Sequence, residues 1–218
     1  MERGLFITFE GTEGVGKSTQ VKLLGERLQK LNYRIRIFRE PGGTLIGEEI
    51  RGTLKHSKNN EAMTSEAELL LMNASRAQLV REVIRPALAN GEIIICDRFY
   101  DSTTAYQGYG RQLDLKMVQS VVDVAVGETK PNLTLLLTVP AEISEKRLAA
   151  RQATMPFLRD RIEEASKEFF ERVAKGFEAI AAAEPNRIRT VDTSGSLENV
   201  SLKIWEFVQP LLPKSGRW

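Results

Sequence analysis

The sequence has one cysteine, Cys96, and one histidine, His56. A single cysteine excludes an intramolecular disulfide framework and a multi-cysteine zinc site, as expected for a reducing compartment. A single histidine excludes a His-rich metal centre and argues against a Ser-His-Asp triad. Charge of one sign is also scarce: 31 Lys plus Arg against 29 Asp plus Glu leave +2. That excess forecasts neither nucleic acid nor a membrane surface as a partner, so a charged ligand has to be sought in local clusters. No run approaches the roughly eighteen apolar residues of a membrane span. The apolar start at Leu5–Phe9 is cut short by Glu10 and a glycine-rich stretch, so no signal-peptide core is expected. These absences point to a cytoplasmic chain.

Apolar residues make up 42% and charged residues 28% of 218, enough to bury a core and of a length that suits one domain spanning 1–218. Strand patterns alternate with helix patterns. Leu5–Phe9, Arg34–Phe38, Ile93–Cys96, Leu133–Val139 and Ile188–Val191 read as strands. Ser18–Leu31, Leu69–Val83 behind a capping box at Ser65–Glu68, Glu163–Ala183 and Leu197–Phe207 read as helices. Pro86 and Gly91 mark a kink or end of the second of these helices. Near-continuous apolar strands in alternation with helices predict an α/β fold, a parallel sheet covered on both faces. The arginine-dense segment Arg147–Arg161 reads as an irregular insertion.

Gly11-Thr12-Glu13-Gly14-Val15-Gly16-Lys17-Ser18 fits G-x-x-x-x-G-K-[ST], between a strand and a helix as that motif demands. Glycines let successive backbone N–H groups face phosphate oxygens, and the first helical turn, including Thr19, adds unsatisfied donors. Lys17 is expected on the β/γ-phosphates of ATP and the Ser18 hydroxyl on Mg²⁺. Asp97 and Arg98 follow a buried strand, at the end where open α/β sheets bind ligands. Asp97 is thus a second Mg²⁺ candidate, and Arg98 a phosphate contact.

Arg39, Arg51, Arg98, Arg151, Arg159 and Arg161 sit at loop positions, where guanidinium forks suit two phosphorylated molecules brought to close range. The residues therefore indicate a nucleotide kinase. A deoxynucleoside kinase and a nucleotide-binding module without catalysis stand as alternatives.

With Arg39-Glu-Pro-Gly-Gly-Thr44, Ala74-Ser-Arg76, Arg85-Pro-Ala-Leu-Ala-Asn-Gly91, Thr104-Ala-Tyr-Gln-Gly108 and Asp160-Arg-Ile-Glu163 added, the chain resembles the bacterial-type thymidylate kinases over nearly its whole length. The resemblance implies a three-layer P-loop sandwich with a five-stranded parallel sheet of order 2-3-1-4-5. It also implies transfer of phosphate from MgATP to dTMP, and a homodimer. It places Glu13 near the 3′-hydroxyl of dTMP, and Arg39 and Arg98 at the dTMP phosphate, with Glu40, Pro41 and Arg51 lining the same site. Arg76 and Gln107 go to the acceptor nucleotide, Arg76 at the thymine edge, and Thr103 near the base. Tyr106 fills the space of a ribose 2′-hydroxyl. Asp192-Thr-Ser-Gly195 is assigned to the adenine side of ATP.

Two positions depart from the family pattern. Met72 stands where Phe commonly stacks on thymine; its polarizable sulfur and methylenes still offer cover. The stretch between Arg151 and Asp160 is longer than a short glycine-containing lid. Because the cradle itself has no arginine, the lid at about 147–161 is expected to supply a catalytic clamp from Arg151, Arg159 or Arg161, and to be open or disordered without nucleotides. Leu69, Leu70, Ala77 and Val80 are candidate dimer surface.

Overall fold

The computed structural model describes residues 4–57, 62–154, 162 and 165–213. Five parallel strands form one sheet in the order β2-β3-β1-β4-β5: β1 Phe6–Glu10, β2 Ile35–Arg39, β3 Ile93–Asp97, β4 Leu133–Thr138 and β5 Ile188–Asp192. The helices are α1 Lys17–Lys30, α2 Leu45–His56, α3 Ser65–Leu79, α4 Arg85–Ala89, α5 Tyr100–Thr103, α6 Leu115–Val126, α7 Ala141–Thr154, α8 Lys167–Ala183 and α9 Leu197–Val208. The central strands are mostly apolar because both faces are covered, with Thr8 and Thr134 as buried polar exceptions hydrogen-bonded to each other. Alternation along them divides the core: Ile7, Phe9, Ile95 and Leu135 pack with Leu24 and Leu28 of α1 and Ile204 of α9, while Phe6, Ile94 and Cys96 pack with Leu79, Phe99, Val118 and Val122 on the other side. Burial raises the Cys96 thiol well above its ordinary range. A third cluster joins Tyr106 to Phe169, Val173 and Phe177 of α8.

Two expectations change. Arg51, expected at a loop position, lies within α2. The segment opening at Arg147 is not irregular up to Thr154; it is the second half of α7. Ala, Leu, Arg and Gln make up all of that stretch but Thr154, and all four are strong helix formers. The remainder of the expected lid, with Arg159 and Arg161, lies outside the described residues. The helix over Leu69–Val83 runs through π-helical turns at Val80–Ile84, ahead of Pro86, and ends at Ala89, before Gly91, the two residues expected to mark its kink or end. Proline has no N–H and clashes with the carbonyl four residues back, and a wider turn ahead of it relieves both. Gly91, at φ +73°, follows the end of that helix.

Of the candidate dimer residues, Leu69 and Val80 belong to the core and Leu70 is 58% exposed. No described helix is long and apolar enough to cross a membrane.

Candidate active site

The register of the sheet gathers the site at the carboxyl ends of its strands. Asp97 pairs with Phe9 on one side and Arg39 on the other, so β1, β2 and β3 end level with one another. The loop from β1 to α1 then folds back over them. Gly11 (φ +130°) and Gly14 (φ +74°) take conformations that L-residues avoid; a Cβ would stand 2.3 Å from Leu137 O at the first and 2.8 Å from Ser144 O at the second. Gly16 begins α1 with no side-chain cap among the described residues. The first N–H groups of the helix are thereby left as donors.

Lys17 is 8% exposed, and its Nζ donates to Gly11 O at 3.0 Å and Thr12 O at 2.6 Å. Burial and then the Arg98 charge push the amine down to about 8, against the pull of Glu13, Asp97 and Glu10. Ser18 Oγ donates to Asp97 Oδ2 at 2.7 Å. This pairs a hydroxyl and a carboxylate beside the cradle. No group of three or more His, Cys, Asp or Glu able to hold a metal occurs among the described residues. Such a pair of hard oxygens fits the ligand preference of Mg²⁺, which these two residues would hold.

Arg98 adopts φ +71°, a costly conformation that its contacts over-determine. Its guanidinium donates to Gly11 O (3.0 Å), Ser102 Oγ (3.0 Å), Glu13 Oε1 (2.8 Å) and Tyr106 Oη (3.1 Å). Tyr106 Oη donates in turn to the Glu13 carboxylate, and its burial raises the phenol well above its ordinary range. Glu13, Arg98 and Tyr106 therefore form one charged cluster, from the cradle, the end of β3 and the π-helical turns Thr104–Gly110 that follow α5.

Arg76 and Glu40 form a buried part of the wall, with both side chains 3% exposed and 2.7 Å apart. Arg76 also donates to Asn73 Oδ1, Thr103 Oγ1 and Phe99 O. Burial pushes the Glu40 carboxyl up to about 6 while Arg76 pulls it down. Nearer solvent, Arg39 pairs with Glu48 at 3.1 Å, and Arg51 Nη1 donates to Pro41 O at 2.9 Å.

A cavity of about 510 Å³ brings these groups together. Glu13, Gly14, Gly16, Lys17, Ser18, Thr19, Arg39, Glu40, Pro41, Arg51, Met72, Arg76, Asp97, Arg98, Thr103, Tyr106, Gln107 and Arg151 all line it. Gly11, Thr12 and Val15 contribute backbone carbonyls behind it, to Lys17, Arg98 and Thr193. Asp192 is not among the lining residues; its Oδ1 accepts from the backbone N–H and the hydroxyl of Ser194, which lowers its carboxyl.

The structure adds residues that the motifs did not single out. Glu10, 1% exposed, accepts from Phe99 N, Ser102 N and Ser102 Oγ, and holds the turn that carries Arg98. Burial, then the Asp101 charge, raises its carboxyl to about 8. Its place at the end of β1 was a usable signal. Arg147 of α7 donates to Gly14 O, Thr193 O and Thr193 Oγ1, joining α7 to the cradle and to the loop after β5. Glu68 accepts from Gln107 and Arg111.

Residues 9–204 match the family model described as "Thymidylate kinase". A protein named thymidylate kinase from Synechococcus sp. (strain JA-2-3B'a(2-13)) is 47% identical over 209 residues, 96% of each chain. One of the same name from Geobacter sp. (strain M21) is 44% identical over 215 residues, 98% of this chain and 95% of that one. The crystal structure of thymidylate kinase from Ehrlichia chaffeensis superposes with a TM-score of 0.76 at 31% identity, covering 95% of this chain and 100% of the other.

Proposed function

The chain belongs to the thymidylate kinase family, and from that premise we propose how its residues divide the work. The activity is that of the family: the enzyme transfers the γ-phosphate of ATP to dTMP, giving dTDP and ADP. An oxygen of the dTMP phosphate forms the new bond to the γ-phosphorus, and the bond from that phosphorus to the β,γ-bridging oxygen breaks. The attacking oxygen is already anionic, so no side-chain base is required. Positioning and charge compensation carry the catalysis.

Lys17 and the N–H groups of Gly14 to Thr19 hold the ATP phosphates. Ser18 and Asp97 hold Mg²⁺, which when bound neutralises phosphate charge. Arg98 and Arg39 take the dTMP phosphate, and Glu13 accepts from the sugar 3′-hydroxyl. Tyr106 occupies the volume beside C2′; Met72, Arg76, Thr103 and Gln107 surround the base. Arg151, on α7 at the cavity rim, is the described candidate for the clamp on the transferring phosphoryl group; Arg159 and Arg161 remain candidates from outside the described residues. We read 1–218 as one kinase domain with its lid at about 147–161, acting in the cytoplasm on soluble nucleotides. We also propose a homodimer, supported by exposed Leu70 of α3 and Val124 of α6.

The observation that carries this reading is one cavity holding both the phosphate cradle with its Ser18–Asp97 pair and the Glu13–Arg98–Tyr106 cluster, a donor half and an acceptor half. Coupled ADP release measured with dTMP, dUMP, UMP, CMP, GMP, AMP and thymidine tests it. Turnover is expected to be highest with dTMP and near background with thymidine. Preference for another monophosphate, or ADP release independent of any acceptor, overturns it.

A further inference from the structure

Gln107 is 2% exposed yet lines the cavity, and its Nε2 donates to Glu68 Oε1 at 2.8 Å. Glu68, in the first turn of α3 and 1% exposed, also accepts from Arg111 Nε at 3.2 Å and Nη2 at 3.0 Å. The Arg111 guanidinium is itself seated 4.7 Å from the Phe169 ring centroid. An amide has one donating and one accepting end, whereas a carboxylate paired with arginine only accepts. The donating end of Gln107 is therefore fixed on Glu68. Its carbonyl Oε1 has the opposite direction and takes no protein donor among the described residues.

We propose that Glu68 is a positioning residue for base selection: by fixing the Gln107 amide it makes this part of the cavity wall a hydrogen-bond acceptor. A pyrimidine with a ring N–H at N3 satisfies such a wall. A cytosine-type base presents a lone pair there and leaves two acceptors facing each other, which costs far more than a missing contact. Selection at this edge thus originates in a carboxylate on α3 that need not touch the nucleotide. The proposal rests on the thymidylate kinase reading of the cavity and extends it to a residue outside the phosphate chemistry.

Steady-state kinetics with dTMP and 5-methyl-dCMP test it, because the two differ only along the N3–C4 edge. Glu68→Gln sets an amide against an amide, and either end of Gln107 then finds a partner. The dTMP to 5-methyl-dCMP ratio of kcat/KM is expected to fall at least about tenfold, with the loss on dTMP appearing in KM more than in kcat. Arg111→Met disturbs the same cluster but keeps the carboxylate, and the ratio is expected to stay within about threefold of the parent. Should Glu68→Gln fail to fold, the double variant Glu68→Met/Arg111→Met replaces the buried pair by apolar volume and frees the amide in the same way. An unchanged ratio in a folded Glu68 variant overturns the proposal, as does an equal loss in Arg111→Met. A parent enzyme without activity on dTMP would instead overturn the kinase reading.

Discussion

Replacing Arg76 by methionine keeps the length of the side chain and removes every donor. Glu40, 3% exposed, is then left with a buried charge and no partner from Arg76, and Asn73, Thr103 and the Phe99 carbonyl each lose a donor. Breaking a buried pair from one side costs about 3–5 kcal/mol. In a chain of this size each kcal/mol moves Tm by about 2–4 °C, so the expected fall is about 6–20 °C. Removing the stranded charge as well, in Arg76→Met/Glu40→Met, is expected to recover at least about 2 kcal/mol relative to the sum of the single changes.

The pH dependence supplies a second arm. The Glu40 carboxyl lies at about 6 against an ordinary value of 4.5, so the folded chain holds this proton more tightly than the unfolded one. That contribution to stability is present at low pH and is lost as pH rises from 4.5 through 6. Without Arg76 the carboxyl rises further, and the deficit of Arg76→Met is expected to be larger at pH 8 than at pH 5. Thermal melts and urea unfolding at both pH values, followed by circular dichroism, measure these effects. A midpoint unmoved by Arg76→Met, or a double variant as unstable as the sum of the singles, would refute charge pairing as what holds this wall.

Because Lys17 loses its proton around pH 8 in this environment, kcat/KM for ATP is expected to fall about fivefold between pH 8 and pH 9, and kcat at saturating ATP much less, since phosphate charge holds the proton on; a profile flat to pH 9.5 contradicts this. Lys17→Ala is expected to lower kcat at least about 10²-fold with an unchanged far-UV spectrum, and near-normal turnover would remove Lys17 from the phosphoryl charge. Asp97→Asn is expected to raise the Mg²⁺ concentration for half-maximal rate at least about fivefold while the KM for dTMP stays within about threefold; an unmoved Mg²⁺ titration would place the metal elsewhere. Tyr106→Ala is expected to raise kcat/KM for the ribonucleotide relative to dTMP, whereas Tyr106→Phe keeps the ring packed on Phe169 and Phe177 and so keeps the selection; equal behaviour of the two variants would return Tyr106 to packing alone.

The parallel sheet was legible because Phe6–Glu10, Ile93–Cys96 and Leu133–Leu137 are buried on both sides, and such strands show as near-continuous apolar runs, interrupted here only by Thr8, Glu10 and Thr134. The amphipathic α2 and α6 went unread. They lie between motif segments, and the spacing in Leu45–His56 competes with glycines at 47 and 52. The phosphate half of the cavity was legible for a different reason: backbone donors need glycines at fixed offsets, and that need is written in consecutive residues. Partners such as Glu68 with Gln107, or Glu10 with Ser102, sit 39 and 92 positions apart. Local pattern carries no trace of such pairs. The order 2-3-1-4-5 likewise came through resemblance, since apolar runs identify strands but not their neighbours.

Lys17 and Arg98 hold partners of their own: two cradle carbonyls for the first, Glu13 and Tyr106 among others for the second. Recruitment of a phosphate at these groups is consequently an exchange reaction, in which the gain is the difference between an incoming oxygen and the one displaced. A sulfate that took the place of Glu13 on Arg98 would bring no donor for that carboxylate. A nucleotide whose sugar hydroxyl donates to Glu13 completes the trade on both sides. On the proposed reading, a simple oxyanion at Arg98 leaves Glu13 with Tyr106 Oη alone, whereas a nucleotide restores the partner that Glu13 gives up.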